Sequence, residues 1–390
     1  MVTTTTEEYY YDDTVVPMTP GVQIPSAIGL SILILIGIVG NAMTICAYCF
    51  DTKLGSVYDF YILNLAITDL LLCCISMPFY AVYTLMEFTW PFGYAFCKIW
   101  LIMDFTLCFE SILIMLLLSF DILLMMNFGP SYLFKFTKSI AAIVIGISWV
   151  ISFLVYGPAI IGWNHWVGYS TVEEDDCDVE FVNDVPFTTA TAFVEFVLPF
   201  VCLTSVNALI YYKIRKQVKQ KAKAKTIRFG VSSNGKTCLK SFDDDASSKT
   251  KTDQNEPGQS SAPDKFNTNG ENSQKEDNKQ NETMEDKAKS QRHEKAAKFL
   301  GILVLAFLIF WAPYTVTTVV ISFCEECVGT SLYEFFNWLL WMKSAVNPFL
   351  YAYNIPRYQK YFKKYLTLNG RICKGTKVSP EQNVTASSVY

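Results

Sequence analysis

Asp69, Asp104, Glu195 and Lys343 sit within long apolar blocks of the sequence, where charge is expensive. A carboxylate in a low-dielectric setting needs a cation to stay ionised, and a lysine there must deprotonate or pair with an acid. Each is therefore a functional candidate, weighed against the plainer reading of a packed, hydrogen-bonded contact between helices. The chemistry on offer is recognition of charge. Bond-making chemistry has little support. The two histidines, His165 and His293, lie outside the apolar blocks, so no His-based catalytic or metal cluster forms, and no cofactor is implied.

The blocks that position these groups lie near 24–50, 58–85, 95–127, 139–163, 187–213, 296–322 and 331–354. A bilayer core about 30 Å thick needs roughly 20 apolar residues per helix, and each block is long enough to cross with some tilt. Hydrophobic residues make up 51% of the 390, gathered in blocks rather than in amphipathic stripes. The expected fold is an all-α membrane protein, a seven-transmembrane helix bundle. The net charge of −4 and the acidic pI oppose nucleic-acid binding. No inverted repeat with broken helices supports a transporter.

Basic residues in short loops set the orientation. Lys53, Lys135, Lys138, Lys213, Arg215, Lys216 and Lys219 flank one side, joined by Arg357, Lys360, Lys363 and Lys364. The other side carries the acidic N-terminus, Glu173 to Asp176, and Glu325 and Glu326. Residues 1–23 are thus expected as an extracellular tail, with spans one to five over 24–213. No cleavable signal peptide is expected; the first block is too long for one and should act as a signal-anchor. The polar tract 214–295 cannot bury enough apolar surface to order itself and reads as a disordered third cytoplasmic loop. Spans six and seven fill 296–354. Tyr358, Tyr361, Phe362 and Tyr365 recur at helical spacing among lysines, so 355–367 reads as an amphipathic helix on the inner leaflet. In the cytoplasmic tail, 368–390, Cys373 is a lipidation candidate against the reading of an ordinary thiol. The sequons at Asn281 and Asn383 fall on the cytoplasmic side and should be unmodified.

Twelve cysteines are present. Four fall on the outer side, Cys97, Cys177, Cys324 and Cys327, and an even external count suggests two bridges. A Cys97–Cys177 bond would pin the long outer loop over the bundle mouth; Cys324 and Cys327 form a short outer-loop pair. A zinc site on a lone C-x-x-C lacks its third and fourth ligands.

Landmarks then appear in order, one set per span: Gly40-Asn41, Leu65-Ala66-Ile67-Thr68-Asp69, Cys97 with Asp104, Trp149, Pro199, Phe310-Trp311-Ala312-Pro313-Tyr314, and Asn347-Pro348-Phe349-Leu350-Tyr351. This ordered set resembles the rhodopsin-like class of G-protein-coupled receptors. The stretch Trp100 to Cys108 is similar to the third helix of the aminergic group, in which the resemblance gives Asp104 the ligand ammonium. Phe105, Trp311, Tyr314, Trp338 and Trp341 match pocket positions, where cation–π contacts contribute roughly 0.5–2 kcal/mol each. Glu195, one turn before Pro199, is similar to the third and fourth histamine receptor types, as are Cys108, Thr318, Trp341 and the loop Glu87-Phe88-Thr89-Trp90. Two acids on facing helices suit a ligand with a cation at each end; histamine would place its ammonium on Asp104 and its imidazole on Glu195. The resemblance also implies a heterotrimeric G protein of the inhibitory type and arrestin as partners, besides the lipid bilayer, and a plasma-membrane location.

Two positions depart from the class. Where Asp/Glu-Arg-Tyr is usual, the residues are Asp121-Ile122-Leu123. Ile122 makes no polar contact to a G protein, and Asp121 loses its adjacent cation. The resemblance also implies a sodium-binding cluster of Asn41, Asp69, Ser111, Ser344 and Asn347, with Tyr351 nearby. Lys343 replaces an Asn of that cluster, and its ammonium would stand in for the ion, with Asp69 or Glu110 as partner. Competing readings are an amine-binding decoy or heteromer partner, favoured by Ile122; a peptide receptor, favoured by the acidic, Tyr-rich run Glu7 to Asp13; and a retinal photoreceptor, disfavoured because Trp341 occupies the Schiff-base position.

Overall fold

The computed structural model describes residues 20–51, 54–172, 175–233 and 298–367, and among these every regular element is helical. The long helices are α1 (Pro20–Phe50), α2 (Val57–Leu85), α3 (Tyr94–Phe128), α4 (Lys138–Val167), α5 (Val185–Gln220 in its apolar part), α6 (Lys298–Phe323) and α7 (Thr330–Asn354). A short α8 (Pro356–Leu366) follows. The first six are long and apolar enough to cross a membrane. At 25 residues α7 reaches about 37 Å, long enough to cross, but it is less apolar than the other six. Its mean hydropathy is lower because it carries Asn337, Lys343, Ser344 and Asn347, all buried inside the bundle.

Polarity is inverted relative to a bundle in water. Ile24, Ile28, Ile32, Leu35 and Val39 form an exposed stripe on α1, and Ile143, Ile147, Val150 and Leu154 another on α4. Asn41, Asp69, Glu110, Ser111 and Lys343 are buried. Apolar bands this extensive are not stable against water, whereas helices that satisfy their own backbone hydrogen bonds suit lipid. The chain is a multi-pass membrane protein. Its central column is α3, with 67% of its most apolar window buried against 28% for α1 and 22% for α5.

Two helices carry a π turn just before a proline. In α2 the turn is Leu72–Ser76, closed by the Met77 N–H on the Leu72 carbonyl and followed by Pro78. In α5 it is Phe193–Val197, closed by the Leu198 N–H on the Phe193 carbonyl and followed by Pro199. Proline brings no N–H to the ladder, and the inserted residue of a π turn re-phases the side chains on either side. Glu195 lies inside the second turn.

The helix that begins α5 continues past the expected end at 213 to Ser233. Its Lys, Gln and Ala are strong helix formers, and they carry the helix into the tract read as a disordered loop. The rest of that tract, 234–297, lies outside the described residues, as do the N-terminal acidic run, Lys53, Glu173, Glu174, Asn281, His293, Cys373 and Asn383. α8 forms within the expected 355–367. It buries Tyr358 and Phe362, exposes Lys360, Lys363 and Lys364, and pairs Arg357 with Asp59 at 4.0 Å.

Both expected bridges form. Cys97–Cys177 joins the start of α3 to the loop before α5, and Cys324–Cys327 closes a 3-10 turn after α6. Closing a loop of 80 residues contributes roughly 4 kcal/mol in the chain-entropy account.

Candidate functional site

A cavity of about 230 Å³ opens at the disulfide end between α2, α3, α5, α6 and α7, roofed by the loop that carries Cys177. The bridge sets its depth. Asp104 follows Cys97 by two helical turns, about 10 Å along α3. Only 8% of Asp104 is exposed. Its Oδ1 accepts from Trp341 Nε1 of α7 at 3.1 Å and from Cys108 Sγ at 3.9 Å. Phe105, one residue on, packs its ring 4.8 Å from Tyr156 of α4. The Tyr156 hydroxyl donates to Glu195 Oε2, so α4 holds the α5 acid in place. Asp104 and Glu195 line the same cavity, together with Phe105, Tyr314, Thr318 and Trp341. No Lys or Arg is in that lining.

Three expected pocket residues sit behind the wall instead. Cys108 points at Asp104 from one turn below. Trp311 stacks on Phe307 at 6.0 Å, deeper in the bundle. Trp338 packs against Tyr80 and Trp341, with centroids 5.9 and 5.3 Å away. Cys108 and Trp311 lie a turn deeper than the lining residues of their helices, whereas Trp338 shares the face of Glu334 and Trp341 and backs the rings of Tyr80 and Trp341.

The roof is anchored by polar contacts. Lys98 pairs with Glu180 at 3.3 Å, and Glu180 also accepts from the Thr171 N–H at 2.8 Å and from Ser170 Oγ at 3.0 Å. Burial by itself would raise the Glu180 carboxyl, but these donors and Lys98 outweigh it and hold the group below its ordinary range. Nearby, burial pushes Asp178 up to about 6, against the pull of the Val179 N–H. The Trp90 N–H donates to the Asp175 carbonyl at 2.8 Å, tying the α2–α3 turn to the roof. In that turn Glu87 and Phe88 take positive φ of 56° and 62°. These left-handed residues turn the chain so that Phe88 reaches the cavity.

Below the cavity lies a second polar cluster. Asp69 accepts from Ser344 Oγ at 2.8 Å, Asn347 Nδ2 at 2.7 Å and Ser111 Oγ at 3.4 Å. Asn41 makes no hydrogen bond to Asp69. It donates to the Gly37 and Ser344 carbonyls, both at 3.0 Å, and so locks α1 to α7. Lys343, 2% exposed, donates to Ser111 Oγ at 2.7 Å and lies 5.3 Å from the Trp311 ring centroid. The direct pair with Asp69 is thus replaced by a relay through Ser111. Glu110 is no partner of Lys343: it faces α4, accepting from Ser148 at 2.7 Å and Ser152 at 2.8 Å. Tyr351 is buried beside Phe299, its ring 6.0 Å away.

At the basic end, Ile122 is wholly buried. Asp121 loses the adjacent cation but not all partners, because the Tyr132 hydroxyl of the short turn Tyr132–Lys135 donates to it. Reasoning from sequence missed Tyr132, Tyr156, Asp178 and Glu334. A signal existed for Glu334: it precedes Trp338 by four residues and Trp341 by seven, the spacing of one helix face.

Comparison with known proteins shows the family. The family model for seven-transmembrane receptors of the rhodopsin family matches residues 40–351. The muscarinic acetylcholine receptor M1 of Homo sapiens is 27% identical over 391 residues, covering 82% of this chain and 84% of that receptor. The histamine H4 receptor of Mus musculus is 30% identical over 395 residues, covering 95% of this chain and 98% of that receptor. The histamine H4 receptor of Rattus norvegicus is 30% identical over 402 residues, covering 96% and 98%.

Proposed function

Because the chain belongs to the rhodopsin family of seven-transmembrane receptors, and to its aminergic group, we propose that it is a receptor for histamine, held with its ammonium on Asp104 and its imidazole on Glu195. The chain is a receptor and not an enzyme. The observation that carries the ligand assignment is the pair of carboxylates, from α3 and α5, lining one small cavity without a Lys or Arg in the wall. Acetylcholine, the ligand in the name of the muscarinic relative, has one cation and would leave Glu195 without a counter-charge. Tyr314 and Trp341 supply aromatic faces to the ammonium.

In this reading the disulfide end faces outside, where thiols are oxidised, the basic end faces the cytoplasm, and the receptor works in the plasma membrane. An agonist that bridges Asp104 and Glu195 favours a contracted pocket, and α6 pivots near Trp311 and Pro313 to open the cytoplasmic end to an inhibitory heterotrimeric G protein. The ligand shifts this equilibrium only by its differential affinity for the two states. Lys343 acts as a built-in cation beside Asp69, in place of a bound sodium ion.

A second reading, an amine-binding receptor with weak G-protein output, is favoured by one observation: Ile122 is buried and Asp121 is engaged by Tyr132. The test is histamine binding in membranes for the wild type, Asp104→Asn and Glu195→Gln. Both substitutions are expected to weaken binding at least tenfold, about 1.4 kcal/mol. Binding that ignores both acids overturns the assignment. Agonist-driven nucleotide exchange with Ile122→Arg, compared with the wild type, decides between the two outputs.

A further inference from the structure

We propose that the upper part of the cavity, between Glu334 of α7 and Asp178 of the roof, is a further cation seat, and that the pocket accepts an extended linear oligoamine with a basic group beyond those held by Asp104 and Glu195. This rests on the reading of Asp104 and Glu195 as amine-binding groups.

The charge count is the first argument. Asp104, Asp178, Glu195 and Glu334 all line the cavity, and no Lys, Arg or His joins them. A ligand with two cations answers Asp104 and Glu195 and leaves Asp178 and Glu334 facing the same space. Lys98 makes its close pair with Glu180 and offsets the Asp178 charge only in part.

The second argument is the state of Glu334. Tyr80 donates to its Oε1 at 2.6 Å, but Oε2 is buried with no hydrogen-bond partner among the described residues. Leaving a buried carboxylate oxygen without a donor is costly, and the fold tolerates it where a ligand supplies the donor. An ammonium brings both N–H groups and charge. Burial pushes the Asp178 carboxyl up to about 6 despite the pull of the Val179 N–H and of Lys98, so a further cation beside it would be welcome.

Geometry supplies the third. Glu334 stands two helical turns, about 10 Å, above Trp341, whose indole N–H holds Asp104. An ethylamine tether anchored at Asp104 does not reach that height. A chain with propyl and butyl spacers does, with its middle amine at Asp104 and its ends toward Glu195 and Glu334. The lining runs along α7 from Thr330 to Trp341, about 16 Å, yet the cavity holds only about 230 Å³. A lining of that length suits a long chain, and Tyr80 and Tyr83 give aromatic faces to cations on the way.

The experiment is direct binding of spermidine and of N-butyl-1,3-propanediamine, the same chain without the primary amine of its butyl arm, to the full-length receptor in membranes. Wild type is expected to prefer spermidine at least tenfold. In Glu334→Gln and in Asp178→Asn that ratio is expected to fall toward one. A substitution that merely disturbs the pocket weakens both ligands alike and leaves the ratio in place, so an unchanged ratio in both variants overturns the proposal. A wild type with no preference for the terminal amine overturns it as well. Asp104→Asn is the control for the underlying reading. If it abolishes binding of both chains while the ratio ignores Glu334 and Asp178, the upper seat alone falls. If both chains bind Asp104→Asn as they bind wild type, the amine pocket falls with it.

Discussion

The two ends of the bundle treat their buried acids in opposite ways. At the disulfide end, Asp104 and Glu195 are oriented by Trp341 and Tyr156, neutral donors that leave their charge uncompensated. At the basic end, Asp59 closes a capping box with Ser56, accepting from the Ser56 N–H at 3.1 Å and from its hydroxyl at 2.7 Å, and it also meets Arg357. Asp121 there is held by a neutral donor, the Tyr132 hydroxyl, which ties it to the turn after α3. Acids at one end complete local structure. At the other, Glu180 is answered by Lys98 in the roof, but the cavity acids Asp104 and Glu195 are positioned and left for a cation from outside. Where a fold aims a charge and does not answer it, the missing counter-charge is a statement about the ligand.

Asp104→Asn tests this contrast hardest. Removing the charge should cost amine affinity roughly thousandfold, about 4 kcal/mol, in radioligand binding. An effect no larger than that of a basic-end substitution would erase the distinction.

Lys343→Asn comes next, since it removes a cation placed inside rather than left to the ligand. Loss of one partner from a buried charge network costs on the order of 3 kcal/mol, read as a lower melting temperature in sodium-free buffer. Added sodium should restore much of that loss in the variant and do little to wild type. A sodium response in wild type equal to that of the variant would show that Lys343 does not fill the ion's place.

Tyr132→Phe should be milder, roughly 2 kcal/mol for one hydrogen bond to a buried acid, seen as a lower melting temperature with amine affinity unchanged. A loss of amine affinity instead would mean that the two ends are not independent.

The smallest effect is expected in the roof. Glu180 is held below its ordinary range in the folded protein, so its contribution is complete at neutral pH and fades as the pH falls through that depressed value. The stability gap between wild type and Glu180→Gln should therefore narrow in acid. A gap that widens would place the roof's stability on another group.

Much of this protein was legible in its sequence. The existence of the spans, the external cysteines, the amphipathic 355–367 and the ordered landmarks depend on local composition and on spacing along single helices, although the fifth helix runs on to Ser233 beyond the expected 213. What sequence could not assign was which partner each polar side chain meets. Lys343 was expected to reach Asp69 or Glu110, but packing put Ser111 between the first pair and turned Glu110 to Ser148 and Ser152 of α4. Glu195 was read as a ligand group without its Tyr156 support, because a π turn in α5 re-phases the helix at that residue. The loss of an arginine was visible at Ile122; its replacement by Tyr132 was not, since the two acid-binding groups lie on different elements. Spacing within one helix fixes a face. Which neighbour that face meets depends on the rotation and tilt of other helices, and those are set only when the whole bundle packs.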